Sequence, residues 1–312
     1  MNIVSTSGNP ELATVYVADM GSERYVEFVE SIQPPVPRSE KWVLILSTLY
    51  GCPVGCGMCD AGGDYRGPLT AGEMLAQIDH LIIQRFPDRK IPIPKLKIQF
   101  ARMGEPALNH SVPAVLIELP RRYDAPGLLP CISTVAPAAR EPFFAQLKTI
   151  KDRYYRDGRF QLQFSIHTTD LRKRNKLIPI RKWSFDQIAR YGRSFRSTGD
   201  RKITLNFALA NDMPVDPSVL KTHFPIDDYL IKMTPINPTK KAEESGLTSY
   251  IDAHDPGDYP IVRELEEAGY EVLVSIGEVE ENQIGSNCGQ YLQKYLTKGP
   301  LPGLTDDRAS RG

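Results

Sequence analysis

Two segments near the start of the chain, 12–18 (LATVYVA) and 24–30 (RYVEFVE), alternate apolar and polar residues about a Gly-Ser turn. That period of two predicts a β-hairpin. A Pro-rich connector follows over 31–40 (SIQPPVPRSE). Strand-like and helix-like segments then alternate. The strand-like ones are 42–49 (WVLILSTL), 95–101 (KLKIQFA), 130–135 (PCISTV), 160–166 (FQLQFSI), 202–209 (KITLNFAL) and 228–233 (DYLIKM), with a late seventh at 270–276 (YEVLVSI). The clearest helical pattern opens at Thr70, where T-A-G-E predicts a capping box with Thr70 as cap and Glu73 reaching back. Met74, Leu75, Ile78, Leu81 and Ile82 then recur at helical spacing. Strands alternating with helices imply a parallel sheet with right-handed crossovers. Six such units predict an α/β fold: a partial (β/α)6 TIM-like barrel with a small N-terminal β-hairpin and a C-terminal strand extension. No glycine-rich dinucleotide fingerprint follows a strand, which argues against an open doubly wound sheet. The expected organisation is hairpin and linker over 1–40, barrel and extension over 41–295, and a disordered tail over 296–312.

Composition narrows the setting. A chain of 312 residues, 41% hydrophobic, can bury a full core. Its longest apolar runs fall far short of the roughly 18 residues a membrane span needs. The first residues, MNIVSTSGNPEL, carry no basic or apolar export signal, and five cysteines do not suggest a disulfide framework. The expectation is a cytoplasmic protein, monomeric and not bound to membrane. Net charge is zero but unevenly spread. Residues 171–202 carry eleven Lys/Arg against Asp186 and Asp200, whereas 251–282 carry ten Asp/Glu against Arg263 alone. Either these stretches form complementary helix faces, or the basic one is a surface for a phosphate-bearing substrate. A dedicated RNA binder is usually basic overall, and this chain is not.

Three of the five cysteines fall in YGCPVGCGMC: Cys52, Cys56 and Cys59, spaced C-x3-C-x2-C. They lie just past the first barrel strand, and Gly104-Glu105-Pro106 just past the second, at the strand ends where barrel chemistry sits. Clustered thiolates select zinc, copper(I) or iron–sulfur clusters. A closed zinc site would need a distant fourth ligand, from Cys131, Cys288 or a histidine. A [4Fe–4S] cluster normally takes four cysteines, so three leave one iron open to a substrate or cofactor. Surplus core cysteines would not gather in a Gly-rich loop.

The spacing, with apolar Met58 before the last cysteine, resembles the signature of the radical S-adenosylmethionine (SAM) superfamily. The resemblance implies a [4Fe–4S] cluster on Cys52, Cys56 and Cys59 whose open iron chelates SAM. It also implies an external electron donor of flavodoxin or ferredoxin type, and reductive cleavage of SAM to a radical. YRGPLTAGEM (65–74), ARMGEPALN (101–109), CISTVAP (131–137), FSIHTTDLRKRNKLIPI (164–180), TPINP (234–238) and NCGQ (287–290) resemble, in order, the RlmN/Cfr family. Members methylate an adenosine carbon in ribosomal, and in one branch transfer, RNA. The likeness covers roughly residues 12–292.

By position, the resemblance implies that Gly104 and Glu105 meet the SAM amino group. It further implies that Ser133, then Ser165, Ile166 and His167, and Asn237 contact SAM, and that Cys288 is the cysteine that carries the methyl group. Glu27 aligns with a family glutamate proposed as a proton acceptor; an exposed strand glutamate is the other reading. Two features depart from the family. Its further cysteine, seven residues before the first cluster cysteine, is Ile45 here, which cannot attack a thioether. Cys131 is the only spare thiol and lies one layer deeper. In addition, only about eleven residues precede the hairpin, where the family's RNA enzymes carry a helical domain. The substrate class (small molecule, peptide or RNA) stays open, as does a non-methylating radical reaction such as hydrogen abstraction or rearrangement.

Overall fold

A computed structural model describes residues 1–252, 257–276 and 289–299. Strands β1 (Asn2–Asn9), β2 (Ala13–Asp19) and β3 (Tyr25–Ser31) run antiparallel, and β3 pairs antiparallel with β4 (Lys41–Leu46). A separate two-stranded ribbon, β5 (Leu49–Cys52) with β6 (Gly63–Pro68), precedes α1 (Ala71–Ile83). Then come β7 (Lys95–Phe100), α2 (Val112–Arg122), β8 (Leu128–Thr134), α3 (Glu141–Tyr154) and β9 (Gln161–Ser165). The chain continues through α4 (Leu171–Leu177), α5 (Phe185–Phe195), β10 (Ile203–Leu209), α6 (Pro217–His223) and β11 (Tyr229–Pro235). The last described elements are α7 (Lys240–Glu244), α8 (Pro260–Glu267), β12 (Val272–Val274) and α9 (Gln290–Lys298). None of the described helices is long and apolar enough to cross a membrane.

Ten strands form one sheet in the order β1-β2-β3-β4-β7-β8-β9-β10-β11-β12, parallel from β4 onward. The sheet is open, with β1 and β12 at its edges, and does not close into a barrel. Alternation decides which face is covered. Leu44, Ile98, Ile132, Phe164, Leu205 and Ile231 are fully buried and join Ile78, Leu116, Leu147 and Ile188 of the helices in one core. The alternate residues form an inner face turned away from those helices. Under the cysteine loop a second apolar core gathers Val15, Val29, Val54, Met103, Ile178 and Tyr291.

The expected strands and the capping box are present: the Thr70 hydroxyl accepts from Glu73 N at 3.2 Å, and Thr70 N donates to the Glu73 carboxylate at 2.7 Å. Three expectations change. The N-terminal unit has three strands, because β1 (NIVSTSGN) pairs through its backbone and shows little apolar alternation. The strand expected over 42–49 ends at Leu46, since the Gln77 side chain takes Ser47 N at 3.0 Å and Ser47 O at 3.1 Å, diverting the ladder. Residues 296–298 of the expected tail belong to α9.

One helix–sheet contact tolerates no side chain. A Cβ on Gly192 of α5 would lie 1.8 Å from the Tyr229 hydroxyl oxygen, on a ring that is itself fully buried. Gly192→Ala is expected to lower unfolding free energy by about 1–3 kcal/mol through overpacking. Gly72→Ala, in the first turn of α1 where a Cβ would meet only Thr70 Oγ1 at 4.0 Å, is expected to raise it by about 0.5–1 kcal/mol. Urea midpoints check both signs.

Candidate active site

The cysteine loop hangs from the β5–β6 ribbon. A Cβ on Gly51 would fall 2.5 Å from Gly63 O, and its φ of +70° is left-handed, so glycine lets the ribbon close. The loop is then tied down on three sides. Gly57 N donates to Leu177 O at the end of α4 (2.8 Å), and Met58 O accepts from Thr239 Oγ1 (3.0 Å). The Asp60 carboxylate accepts from Lys240 N (3.2 Å) and Lys241 N (2.9 Å) at the start of α7. On the third side Gly289 abuts Ala61, where a Cβ would lie 2.2 Å from Ala61 N.

Cys52 is buried while Cys56 and Cys59 are half-buried, and none of the three is in a disulfide. Burial pushes the Cys52 thiol up to about 11. Burial, then the neighbouring Cys52, push Cys56 up to about 12. The backbone N–H groups of Val54, Glu105 and Gly55 donate towards the Cys52 sulfur, an arrangement that suits a thiolate ligand once a metal displaces the proton. Among the described residues no group of three or more His, Cys, Asp or Glu is gathered closely enough to hold a metal ion.

Beneath the loop, Gly104 turns the chain after β7 with a φ of +101°, and a Cβ there would overlap the Leu49 side chain. The turn buries Glu105. Its carboxylate accepts from Ala107 N (3.0 Å), Val135 N (2.9 Å) and the Thr134 hydroxyl, and has no ion-pair partner among the described residues. Burial raises it to about 7 in spite of those three donors. The other residues expected at the cofactor line up along the same strand ends. Ser133 is half-buried at the end of β8 and accepts from Gln99 Nε2 at 3.4 Å; Ser165 closes β9. Ile166 N and His167 N both donate to Asn206 O, at 2.9 and 3.1 Å. His167 adopts a φ of +66°, uncommon for a residue other than glycine, and its Nδ1 accepts from Ala208 N at 2.9 Å. That bond places the proton on Nε2, and burial, with Arg174 nearby, pulls the imidazole down to about 3. His167 is a neutral donor. Asn237 is exposed just past β11.

Glu27 is not an exposed strand residue. It is fully buried and paired with buried Arg102, Nε to Oε1 2.8 Å. Its second oxygen accepts from Leu292 N at 2.7 Å, and its first accepts from Gly289 N. Burial nonetheless pushes its pKa up against the pull of Arg102. Cys288 lies outside the described residues. Ile45, standing where the resolving thiol was expected, packs half-buried against the same apolar cluster as Cys56 and Cys59. Cys131 is fully buried in β8, accepts from Gln163 Nε2 at 3.0 Å, and burial raises its thiol. A buried neutral thiol is a poor nucleophile.

The basic and acidic stretches do not form complementary faces among the described residues. Lys202–Glu271 (3.6 Å) is the one ion pair between them there; Arg196 pairs with Asp228 and Lys173 with Asp212. Arg172, Lys176 and Arg181 are exposed on and after α4, the helix whose end receives Gly57 of the cysteine loop. Sequence reasoning missed Arg102, Asp60 and Thr134. Each acts through a partner more than 25 residues away, and no local pattern marks such a pairing.

No family model matches the chain. Three curated relatives bear the name probable dual-specificity RNA methyltransferase RlmN. One from Thermus thermophilus is 27% identical over 278 residues, 86% of this chain and 73% of its own length. One from Desulfitobacterium hafniense is 27% identical over 258 residues, 80% of this chain and 67% of its own. The protein of another strain of that species is 31% identical over 175 residues, 54% of this chain, and the match spans only about half of that relative, 46%. Among solved structures, a radical SAM methyltransferase from Sphaerobacter thermophilus superposes with a TM-score of 0.67 at 19% identity, covering 93% of this chain and 81% of that one.

Replacing Glu27 by Ala removes the carboxylate that neutralises buried Arg102 and that holds two backbone donors at the start of α9. A loss of about 3–5 kcal/mol is expected. It should be read as faster amide exchange over 289–299 than over β7 to β9.

Proposed function

We propose that this chain, RlmN-like in sequence and of the radical SAM fold, is a methyltransferase acting on a carbon of RNA. Its sheet forms the wall of a partial (β/α)6 barrel. The observation that carries the reading is a convergence at one edge of that sheet. The three-thiol loop, the buried uncompensated Glu105 and the segment that follows Cys288 all meet there. Cys52, Cys56 and Cys59 would hold a [4Fe–4S] cluster. When bound, the cluster supplies the reducing electron for SAM cleavage, received from a donor of flavodoxin or ferredoxin type.

The chain's own residues do the positioning. Glu105, with no cation in the described protein, offers its carboxylate to the SAM ammonium, a charge-assisted contact. Gly104 has no Cβ to hold that turn away from Leu49. His167 presents Nε2–H as a fixed neutral donor, and Ser133, Ser165 and Asn237 add hydroxyl and amide groups at neighbouring strand ends. Ile166, fully buried, anchors that segment. Glu27 acts as a clamp: with Arg102 it fixes Gly289 and Leu292, and so orients the segment in which Cys288 would carry the methyl group. Ile45 and Cys131 leave no described thiol placed to resolve an adduct with Cys288. The exposed Arg172, Lys176 and Arg181 form a basic face beside the loop on which RNA phosphates would rest.

Anaerobic reconstitution with iron, sulfide, SAM and a reductant should yield 5′-deoxyadenosine and a methylated Cys288 peptide. Iron-free protein, or a Cys56→Ala variant that still retains the cluster, would defeat the reading. Glu105→Gln should weaken SAM binding by about 1.5–3 kcal/mol, measured by equilibrium dialysis. Changing Arg172 and Lys176 to Ala should weaken RNA binding evenly across sequences, and lower the salt slope by about one for each phosphate no longer neutralised.

A further inference from the structure

The inner face of the sheet is basic well below the strand ends. Its positions on β4 and β7 to β11 carry Lys41, Lys95, Lys97 and Lys232, and no Asp or Glu among the described residues. Lys97 and Lys232 are half-buried, and neither has an ion-pair or hydrogen-bond partner in the described protein. Burial first, then Lys97, pull the Lys232 ammonium down to about 8. Lys41 is pulled to about 8 by burial, then by Lys95, Lys97 and Lys232. Gathering like charges on a partly dehydrated surface is costly, and no carboxylate of the described chain offsets it.

Beside them runs an ordered polar belt. Asn206, in register with both Ser165 and Lys232, donates from Nδ2 to Gln163 Oε1 at 2.9 Å, and Gln163 donates to Cys131 Sγ at 3.0 Å. These bonds fix the Asn206 amide and leave its buried Oδ1 without a donor. An acceptor held in that way beside two uncompensated ammonium groups describes one kind of ligand: an anion that also bears a hydroxyl or N–H. Lys97 and Lys232 each sit three residues before the end of their strand, about 10 Å below the edge where the cofactor residues lie.

We propose that the inner face between Lys97 and Lys232 binds the phosphate of a nucleotide, with Asn206 Oδ1 accepting from a hydroxyl or N–H of the same molecule. Taking that nucleotide to be the one modified rests on the proposed function; the anion site does not. The phosphate could belong to a free nucleotide or to one residue of an RNA chain turned into the cleft. Lysine suits the role because its ammonium contacts an oxyanion as a point charge without demanding a fork geometry.

The test is calorimetric titration of the full, anaerobically purified chain with adenosine 5′-monophosphate and, separately, a short oligoadenylate. Binding of either probe is expected, and the tighter one identifies the source of the phosphate. Lys97→Met and Lys232→Met should each weaken it about tenfold or more, and Lys232→Arg should keep most of it. Without ligand, both Met variants should melt above the parent, because a repelling ammonium has been removed. The parent itself gives a readout that needs no variant: adenosine 5′-monophosphate should raise its melting temperature more than adenosine does at matched ionic strength. Absence of binding by both probes, unchanged affinity in the Met variants, or equal melting shifts with the two adenosine compounds overturns the proposal. Binding and not turnover is measured, so a chain that held no cluster would still answer, and the two readings fail separately.

Discussion

Parallel hydrogen bonding is the constraint from which the rest follows. Once β4 and β7 to β12 pair in parallel, every one of them delivers its carboxyl end to the same edge of the sheet. Glu105, Ser133, Ser165 and Asn237, far apart in sequence, therefore lie at or just past the ends of neighbouring strands. The helices that return the chain cover one face only, and the opposite face is left free to carry polar groups.

The loop at that edge sits on a small apolar core and is held by hydrogen bonds and by close approaches that only glycine allows. Gly51, Gly104 and Gly289 each stand where a Cβ would meet another part of the site. Their partners, Gly63, Leu49 and Ala61, belong to the ribbon and the loop it carries. Asp60 and Thr239 then fix the loop to α7, and Glu27 fixes α9 against Arg102.

Much of the fold was legible in the chain because alternation and capping are local. Thr70 and Glu73 declare a helix start within four residues, and KLKIQF declares a strand with one apolar face. The cysteines were legible because thiols spaced so closely have few physical uses. What could not be read are the features that depend on distant partners. Nothing around Ser47 reveals that Gln77 will interrupt the strand, and the polar run of β1 conceals an edge strand that pairs only through its backbone. Glu27 illustrates the same limit: as a strand residue it reads as solvent-facing, yet Arg102 and the start of α9 enclose it.

The bond between Leu292 N and Glu27 spans 265 positions of the chain. Synthesis proceeds from the amino end, so this contact forms only well after the cysteine loop has been made. Until then the cysteine loop stands uncovered on the side that Gly289 will occupy. The order of translation thus leaves an interval in which the loop is open on that side, before α9 is latched in place.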